Sequence, residues 1–172
     1  MKELFVLLAR YNQYADGKVF SILQSLPEES LNKDEGSYFT SLMGLLNHNL
    51  VATLLWLNRF RRSSHSFPAL ANPVLDFNRP DPGKLLHPSL NELRKRQEDV
   101  NHVLLDFAGD LTDAVLAQEI VYTDPKGNEA RRIIWQGLLH LFNHQTHHRG
   151  QISQILDAQK IEHDYSGISA LL

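Results

Sequence analysis

Most of this chain repeats apolar residues at intervals of three and four, and this spacing constrains the fold more than any other feature. Each residue of an α-helix advances about 100° around the axis, so such positions fall on one face. Pro27 ends the first of these segments. The apolar positions before it are Leu4, Leu7, Leu8, Tyr11, Ala15, Val19, Ile22, Leu23 and Leu26. The pattern predicts an amphipathic helix over residues 2–26.

Three further segments have helical patterns. Residues 38–63 are apolar on nearly every side, which is typical of a helix buried inside a bundle, and Ser37 is its expected N-cap. A third helix is predicted from Ser89 to about Phe107. A fourth, over residues 132–159, contains four of the chain's nine histidines. The predicted stripe of the third helix is Leu90, Leu93, Val100, Val103, Leu104 and Phe107.

The segments between the helices differ in character. Residues 64–88 contain five of the seven prolines and predict a long ordered loop, which is more often functional than accidental. Residues 118–133 contain a turn signal from Asp124 to Asn128 between strand-like residues, which predicts a short β-hairpin. The whole pattern predicts an all-α four-helix bundle with a long crossover between helices two and three and a hairpin before the last helix.

Composition limits the classes of function. A length of 172 residues predicts a single domain, 1–172. The absence of cysteine excludes disulfides, thiolate metal sites and cysteine nucleophiles. A net charge of -3 without a long basic run argues against a nucleic-acid partner. Arg10 interrupts the N-terminal apolar run, no cleavage site follows, and no segment is long enough to span a bilayer. We therefore expect a soluble, cytoplasmic protein without a membrane partner.

The phase of the fourth helix separates its four histidines. The apolar stripe of this helix is centred near Ile134. His148 lies about 40° and His144 about 80° from that centre, whereas His140 and His147 lie about 120° and 140° away. The two inward residues are one turn apart, with Cβ atoms about 5–6 Å from each other, so their imidazoles can converge on one ion.

Two histidines hold a divalent ion weakly, so a third ligand is needed. A lone inward histidine is more often a core residue than a ligand, and H-x-x-x-H alone is a weak motif. His48 is the best third candidate, because it is a polar residue inside the apolar second helix. Periodicity does not fix its direction, since that helix is apolar all round. The remaining histidines are expected at the surface: His65, His87, His102 and His163.

These residues resemble a known family, the DinB-like metalloenzymes. The resemblance lies in an isolated His48 in the second helix and in the segment Asn143-His-Gln-Thr-His-His-Arg-Gly-Gln151 of the last helix. The segment Tyr11-Asn-Gln-Tyr-Ala-Asp16 is similar to the aromatic-Asn-x-aromatic-Ala start of the family. The resemblance runs over nearly the whole chain, and the last-helix motif is its specific part.

The resemblance implies a bundle in up-down-down-up order that is often dimeric. It also implies one divalent metal ion, zinc or nickel being typical, held by three histidines. Carried over to this chain, the ligands are His48, His144 and His148, whereas His147 matches no ligand position. Related members are transferases that use low-molecular-weight thiols, and one branch isomerises maleylpyruvate with mycothiol. A small-molecule substrate, with such a thiol as a partner, is the corresponding expectation.

Three neutral imidazoles with an open position form a catalytic rather than a structural type of site. We therefore expect a metal-dependent enzyme that activates a thiol or water, an S-transferase or a hydrolase. The alternatives are a non-catalytic metal-binding bundle and a stress-related protein that binds a partner. Two further hypotheses concern residues near the ligands. Arg149 holds either a substrate carboxylate or a salt bridge to a neighbouring helix, and Asn47 and Asn143 support the ligands by hydrogen bonds.

A homodimer is also expected. Helices one and two carry more apolar surface than one partner face each requires, and a large residual apolar patch usually marks an interface.

Overall fold

Four long helices carry most of the described part of the chain. The computed structural model describes residues 1–63, 65–124 and 126–171, with the side chain of Ala170 excepted. The helices and strands are α1 (Lys2–Leu23), α2 (Glu28–Asn32), α3 (Leu42–Arg61), α4 (Leu90–Asp110), α5 (Asp113–Leu116), β1 (Glu119–Thr123), β2 (Glu129–Ile133) and α6 (Ile134–Ala158). Single 3-10 turns lie at Pro68–Ala71, Pro73–Leu75 and Ile168–Leu171.

The long helices pack as two antiparallel pairs. Helix α1 packs against α4, and a hydrogen bond of 3.1 Å joins Gln24, just after the end of α1, to Asn91 at the start of α4. Helix α3 packs against α6. Near the start of α3, His48 meets His144, whereas Trp56 later in α3 meets His140 earlier in α6. Both pairs therefore run in opposite directions.

The remaining neighbours run parallel. Phe60 near the end of α3 packs on Phe107 near the end of α4, with ring centroids 5.4 Å apart. Phe5 at the start of α1 packs on Phe142 in the first half of α6, at 6.4 Å. The order α1, α3, α4, α6 is thus up-down-down-up, which confirms the predicted four-helix bundle.

The predicted hairpin is also present. Strands β1 and β2 are antiparallel, with Tyr122 opposite Ala130, and they lie immediately before α6. Pro125, part of the predicted turn, lies outside the described residues. The proline-rich crossover is ordered by two buried leucines, Leu70 and Leu75, which belong to the same core as the helices. No helix in the described residues combines the length and apolar character needed to cross a membrane.

Two sequence predictions about helix positions were wrong in detail. Helix α3 begins at Leu42 rather than residue 38, and its N-cap is Ser41, whose Oγ accepts a hydrogen bond from the Gly44 amide at 3.2 Å. Ser37 instead forms an isolated backbone bridge with Thr40, which adopts a φ of 61°. This tight turn uses the residues that the apolar pattern had assigned to the helix.

The sequence pattern predicted the wrong buried face for the first turns of α1. Phe5 and Ala9 are buried there, whereas Leu4 is 51% exposed. The buried face of α1 continues through Asn12 and Asp16, two polar residues that an apolar pattern does not count. The true stripe is therefore displaced from the one that Leu4 and its apolar neighbours suggest.

Candidate metal centre

The three histidines predicted as ligands lie together between α3 and α6. The Nε2 atoms of His48 and His144 are 3.0 Å apart, and those of His144 and His148 are 3.2 Å apart. One ring nitrogen from each residue lies within 4.8 Å of the others. The antiparallel packing of α3 on α6 brings His48 from the first half of one helix to two successive turns of the other.

The hydrogen-bond partner of His148 fixes its tautomer. Its Nδ1 lies 2.6 Å from Oε1 of Gln151, one turn further along α6. An amide oxygen only accepts, so Nδ1 carries the proton and the lone pair of Nε2 points to the other two histidines. A metal-binding histidine usually donates the N–H of its other ring nitrogen to an acceptor of this kind.

Phe39 covers one side of the cluster. Its ring stacks on that of His48, with centroids 3.9 Å apart, and meets His148 edge-on at 5.4 Å. Gly44 permits this position, because a Cβ there would lie 1.9 Å from the Phe39 carbonyl oxygen. Neither contact was predicted, although a glycine in the first turn of an apolar helix is a signal of close backbone approach.

The electrostatics of the cluster favour neutral imidazoles. Burial, together with the smaller effect of the adjacent His148, lowers the pKa of His48 to about 4. Burial lowers the pKa of His144 to about 3, with His148 and His48 adding to the effect. The pKa of His148 is also lowered by burial. At neutral pH all three rings are therefore deprotonated at one nitrogen, the form that binds a metal ion.

The spacing of the nitrogens fits one ion. Two nitrogens on a tetrahedral zinc ion, each about 2.0–2.1 Å from the metal, are about 3.3–3.4 Å apart. The two shortest separations, 3.0 and 3.2 Å, lie slightly below that value. Three neutral rings that direct Nε2 to one point also lack enough donors to satisfy each other, whereas an ion satisfies all three.

The other histidines of α6 lie where the helical phase placed them. His140 and His147 are exposed, whereas His148 is buried and His144 is partly buried. The rings of His140 and His144 are 6.0 Å apart between centroids, and those of His147 and His148 are 4.9 Å apart. Neither outer residue belongs to the group whose ring nitrogens converge.

The remaining histidines, which were predicted to lie at the surface, differ in exposure. His102 is exposed, whereas His65, His87 and His163 are partly buried. The Nε2 atom of His65 is buried and makes no hydrogen bond within the described residues. His65 and His87 belong to the crossover, which packs against the bundle through Leu70 and its neighbours.

The two asparagines beside the ligands do not support them. Asn47 donates through Nδ2 to the His87 carbonyl at 3.0 Å, and its Oδ1 accepts from the His87 amide at 2.8 Å. It therefore fastens α3 to the end of the crossover. Asn143 is exposed. Gln151, which is a residue of the same motif, provides the hydrogen bond that had been expected from the asparagines.

Arg149 makes the salt bridge rather than offering a free guanidinium. It is 4% exposed, and its Nη1 donates to Asn12 at 2.6 Å and to Asp16 at 3.1 Å. Asn101 of α4 donates to the other Asp16 oxygen at 2.9 Å. Burial raises the pKa of Asp16, and the charge of Arg149 opposes that shift. This polar network joins α1, α4 and α6 and explains the Asn-x-x-x-Asp spacing of the first helix.

Comparison with known proteins agrees with this architecture. The model of the DinB family matches residues 1–158. The chain belongs to the DinB family. It is similar to Protein DinB of Bacillus subtilis (strain 168), with 25% identity over 157 residues that cover 91% of this chain and 86% of the relative.

A solved DinB-family structure has the same fold. A DinB-like protein from Bacillus cereus ATCC 10987 superposes with a TM-score of 0.57 over 88% of this chain and 89% of its own. The sequence identity is 18%, so this likeness concerns the fold alone.

Proposed function

We propose that His48, His144 and His148 bind one divalent metal ion, zinc or nickel, with at least one coordination position open to solvent. The convergence of their three Nε2 atoms is the observation that carries this proposal. The lowered pKa values of His48 and His144 support it, because protons compete weakly for those nitrogens at neutral pH.

The site supports catalysis better than a purely structural role. His48 and His144 are only partly buried, so the cluster is accessible from one side. Structural metal sites are usually closed by four protein ligands, whereas catalytic sites keep a position for water or substrate. A divalent ion in this setting lowers the pKa of a bound water or thiol towards neutrality. Gln151 would hold the His148 ring in place, and Phe39 would exclude water from the His48 side.

We further propose that the reaction is a metal-dependent transfer that uses a low-molecular-weight thiol, with a small-molecule electrophile as substrate. Support comes from the membership of the DinB family and from the open site. Reduced thiols of this kind belong to the cytoplasm, which is the compartment we propose for this protein. The alternative is a bundle in which the ion only joins α3 to α6, without catalysis.

Metal analysis tests the proposed metal site, and an activity panel separately tests the proposed reaction. Protein purified without an affinity resin that carries metal should contain close to one divalent ion per chain by elemental mass spectrometry. The protein loaded with zinc or nickel is then assayed with several thiols, each against several carbon electrophiles. Thiol consumption that requires the ion supports the enzyme. A full complement of metal without turnover of any pair supports the non-catalytic alternative, and a chain that binds no ion contradicts both.

A further inference from the structure

The Arg59 side chain packs against two aromatic rings and makes no salt bridge within the described residues. Its guanidinium is 4.5 Å from the Trp56 ring centroid and 4.4 Å from that of Tyr122. No carboxylate of the described residues lies within 4.0 Å of it, whereas Arg61, two positions later, contacts Asp76 at 2.6 Å. The centroids of the two rings are themselves 5.7 Å apart, so both rings lie on one side of the guanidinium rather than on opposite faces of it.

Arg59 lies where two cavities join. One cavity has a volume of about 800 Å³ and includes Arg62 and Arg79 in its wall. The other, of about 670 Å³, includes Arg132 and His140. Both share Arg59, Tyr122 and Asp124, so they form one continuous groove along α3, the crossover and the hairpin. We call it the arginine groove and define it by Trp56, Arg59, Arg62, Arg79, Tyr122 and Arg132.

The arginine groove carries more positive than negative charge, because four arginines and two carboxylates line it. Of the two carboxylates, Asp124 lines both cavities and acts on Arg59 through its charge. Asp76 contacts Arg61, which is not a groove residue. Asp124 accepts hydrogen bonds from the amides of Lys126 and Asn128 at 2.8 and 2.9 Å. The four groove arginines make no salt bridge within the residues that the structure covers, in a chain whose net charge is -3.

The arginine groove ends beside the histidine cluster. His140 lines its second cavity, and the His140 ring centroid is 6.0 Å from that of His144. On α3, Arg59 follows His48 by eleven residues, which corresponds to about 16 Å along the helix axis. A small molecule of that length could contact Arg59 at one end and the cluster at the other.

We propose that the arginine groove binds an oxyanion, a carboxylate or a phosphate, carried by the small molecule that reacts at the histidine cluster. A guanidinium binds both groups through paired hydrogen bonds, and the packing of Arg59 against Trp56 and Tyr122 restricts its orientation. Burial lowers the pKa of Arg59, and nearby Arg79 adds to that effect, whereas Tyr122 and Asp124 oppose it. The inference that this small molecule reacts at the histidine cluster rests on the proposed function, whereas the anion site does not.

Anion binding can be measured on metal-free protein. The variant Trp135→Phe leaves Trp56 as the sole tryptophan, in contact with Arg59. After a chelator has been added and removed, this variant is titrated at constant ionic strength with inorganic phosphate, succinate or neutral succinamide. We expect saturable fluorescence changes with an oxyanion and none with succinamide. Binding of succinate alone assigns a carboxylate ligand, and binding of phosphate alone assigns a phosphate.

Charge-matched variants locate the site. Arg59→Gln should weaken anion binding by about tenfold or more, because it removes a charge-assisted hydrogen-bonded pair. Arg79→Gln, an exposed position, tests the same groove without a risk to folding. Arg10→Gln makes the same change in net charge on the exposed side of α1 and should leave binding unchanged.

Two results would overturn the proposal. One is the absence of saturable binding by both oxyanions, and the other is equal affinity in the wild type, Arg59→Gln and Arg79→Gln. Because the titration uses metal-free protein, its failure leaves the metal site untouched. Conversely, anion binding in a chain that binds no metal ion would contradict the proposed function alone.

Discussion

The Nδ1 atom of His148 donates a hydrogen bond of 2.6 Å to Oε1 of Gln151. The two residues are three positions apart on α6, so one helical turn contains both a candidate ligand and the group that orients it. The relationship gives Gln151 a role that its polar character alone does not suggest. It also allows the ligand assignment to be tested without altering a ligand.

Gln151→Leu should weaken metal binding although every histidine remains. Loss of the hydrogen-bond acceptor that orients a metal-binding histidine typically reduces metal affinity by about 10–100-fold, and we expect a loss of that size. Competition with a chromophoric chelator for zinc measures it. Gln154→Leu, an exposed glutamine of the same helix, is the matched control and should bind as the wild type does. Wild-type affinity in Gln151→Leu would show that the His148 ring is oriented by other contacts.

His148→Ala should abolish tight metal binding. The residue is buried, and its Nε2 is directed at His144. The exposed residues His147 and His140 provide controls within the same helix, and their replacement by alanine should change the affinity little. Isothermal titration with zinc compares the variants. An equal loss in His147→Ala would mean that α6 presents a different face to α3.

The stability of the metal-free protein should decrease as the pH falls below about 6.5. The folded-state pKa values of His48, about 4, and His144, about 3, lie below the ordinary value of 6.5. The unfolded chain therefore binds more protons between these values, and folding free energy is lost as the pH falls from about 6.5 towards 3. Urea unfolding of the wild type and His144→Asn at several pH values measures this. The variant should show a weaker pH dependence, and identical curves would contradict the lowered pKa of His144.

Helical phase was sufficient to predict part of the site. In α6 the apolar stripe is well defined, so the inward positions of His144 and His148 could be read from it. In α3 nearly every side is apolar, and the direction of His48 depended on which helices surround it. Phe39 could not be assigned to the site either, because its contact with His48 requires the left-handed turn at Thr40.

Polar residues inside the bundle account for the clearest error of phase. Asn12 and Asp16 lie on the buried face of α1, where an apolar pattern expects leucines. Their burial is stable only because Arg149 and Asn101 approach from two other helices. A sequence does not reveal such partners without knowledge of the packing, so the first turns of α1 were assigned to the wrong face.

Removing one member of this buried network should be costly. Asp16→Ala leaves the Arg149 charge buried without its partner, and such changes destabilise proteins by about 3–5 kcal/mol. Chemical denaturation measures the loss, and the double variant with Arg149→Met should lose less than the sum of the single changes. Glu98→Gln breaks an exposed pair with Arg94 and should cost less than about 1 kcal/mol. A cost for Asp16→Ala as small as that would contradict a structural role for the network.

The apolar residues that stay exposed at the start of α1 motivate the prediction of a homodimer. The apolar residues of α3 are largely buried by the other helices, whereas at the start of α1 Met1 is 55% exposed and Leu4 is 51% exposed. Leu139 of the adjacent, parallel α6 is 46% exposed at the same end of the bundle. Leu4→Glu places a charge in this surface and should shift a dimer towards monomer in sedimentation experiments. Val121→Glu makes the same change at a 45% exposed position of the hairpin and should not. A wild-type protein that is monomeric at micromolar concentration would contradict the prediction, because no partner chain would then cover the exposed leucines.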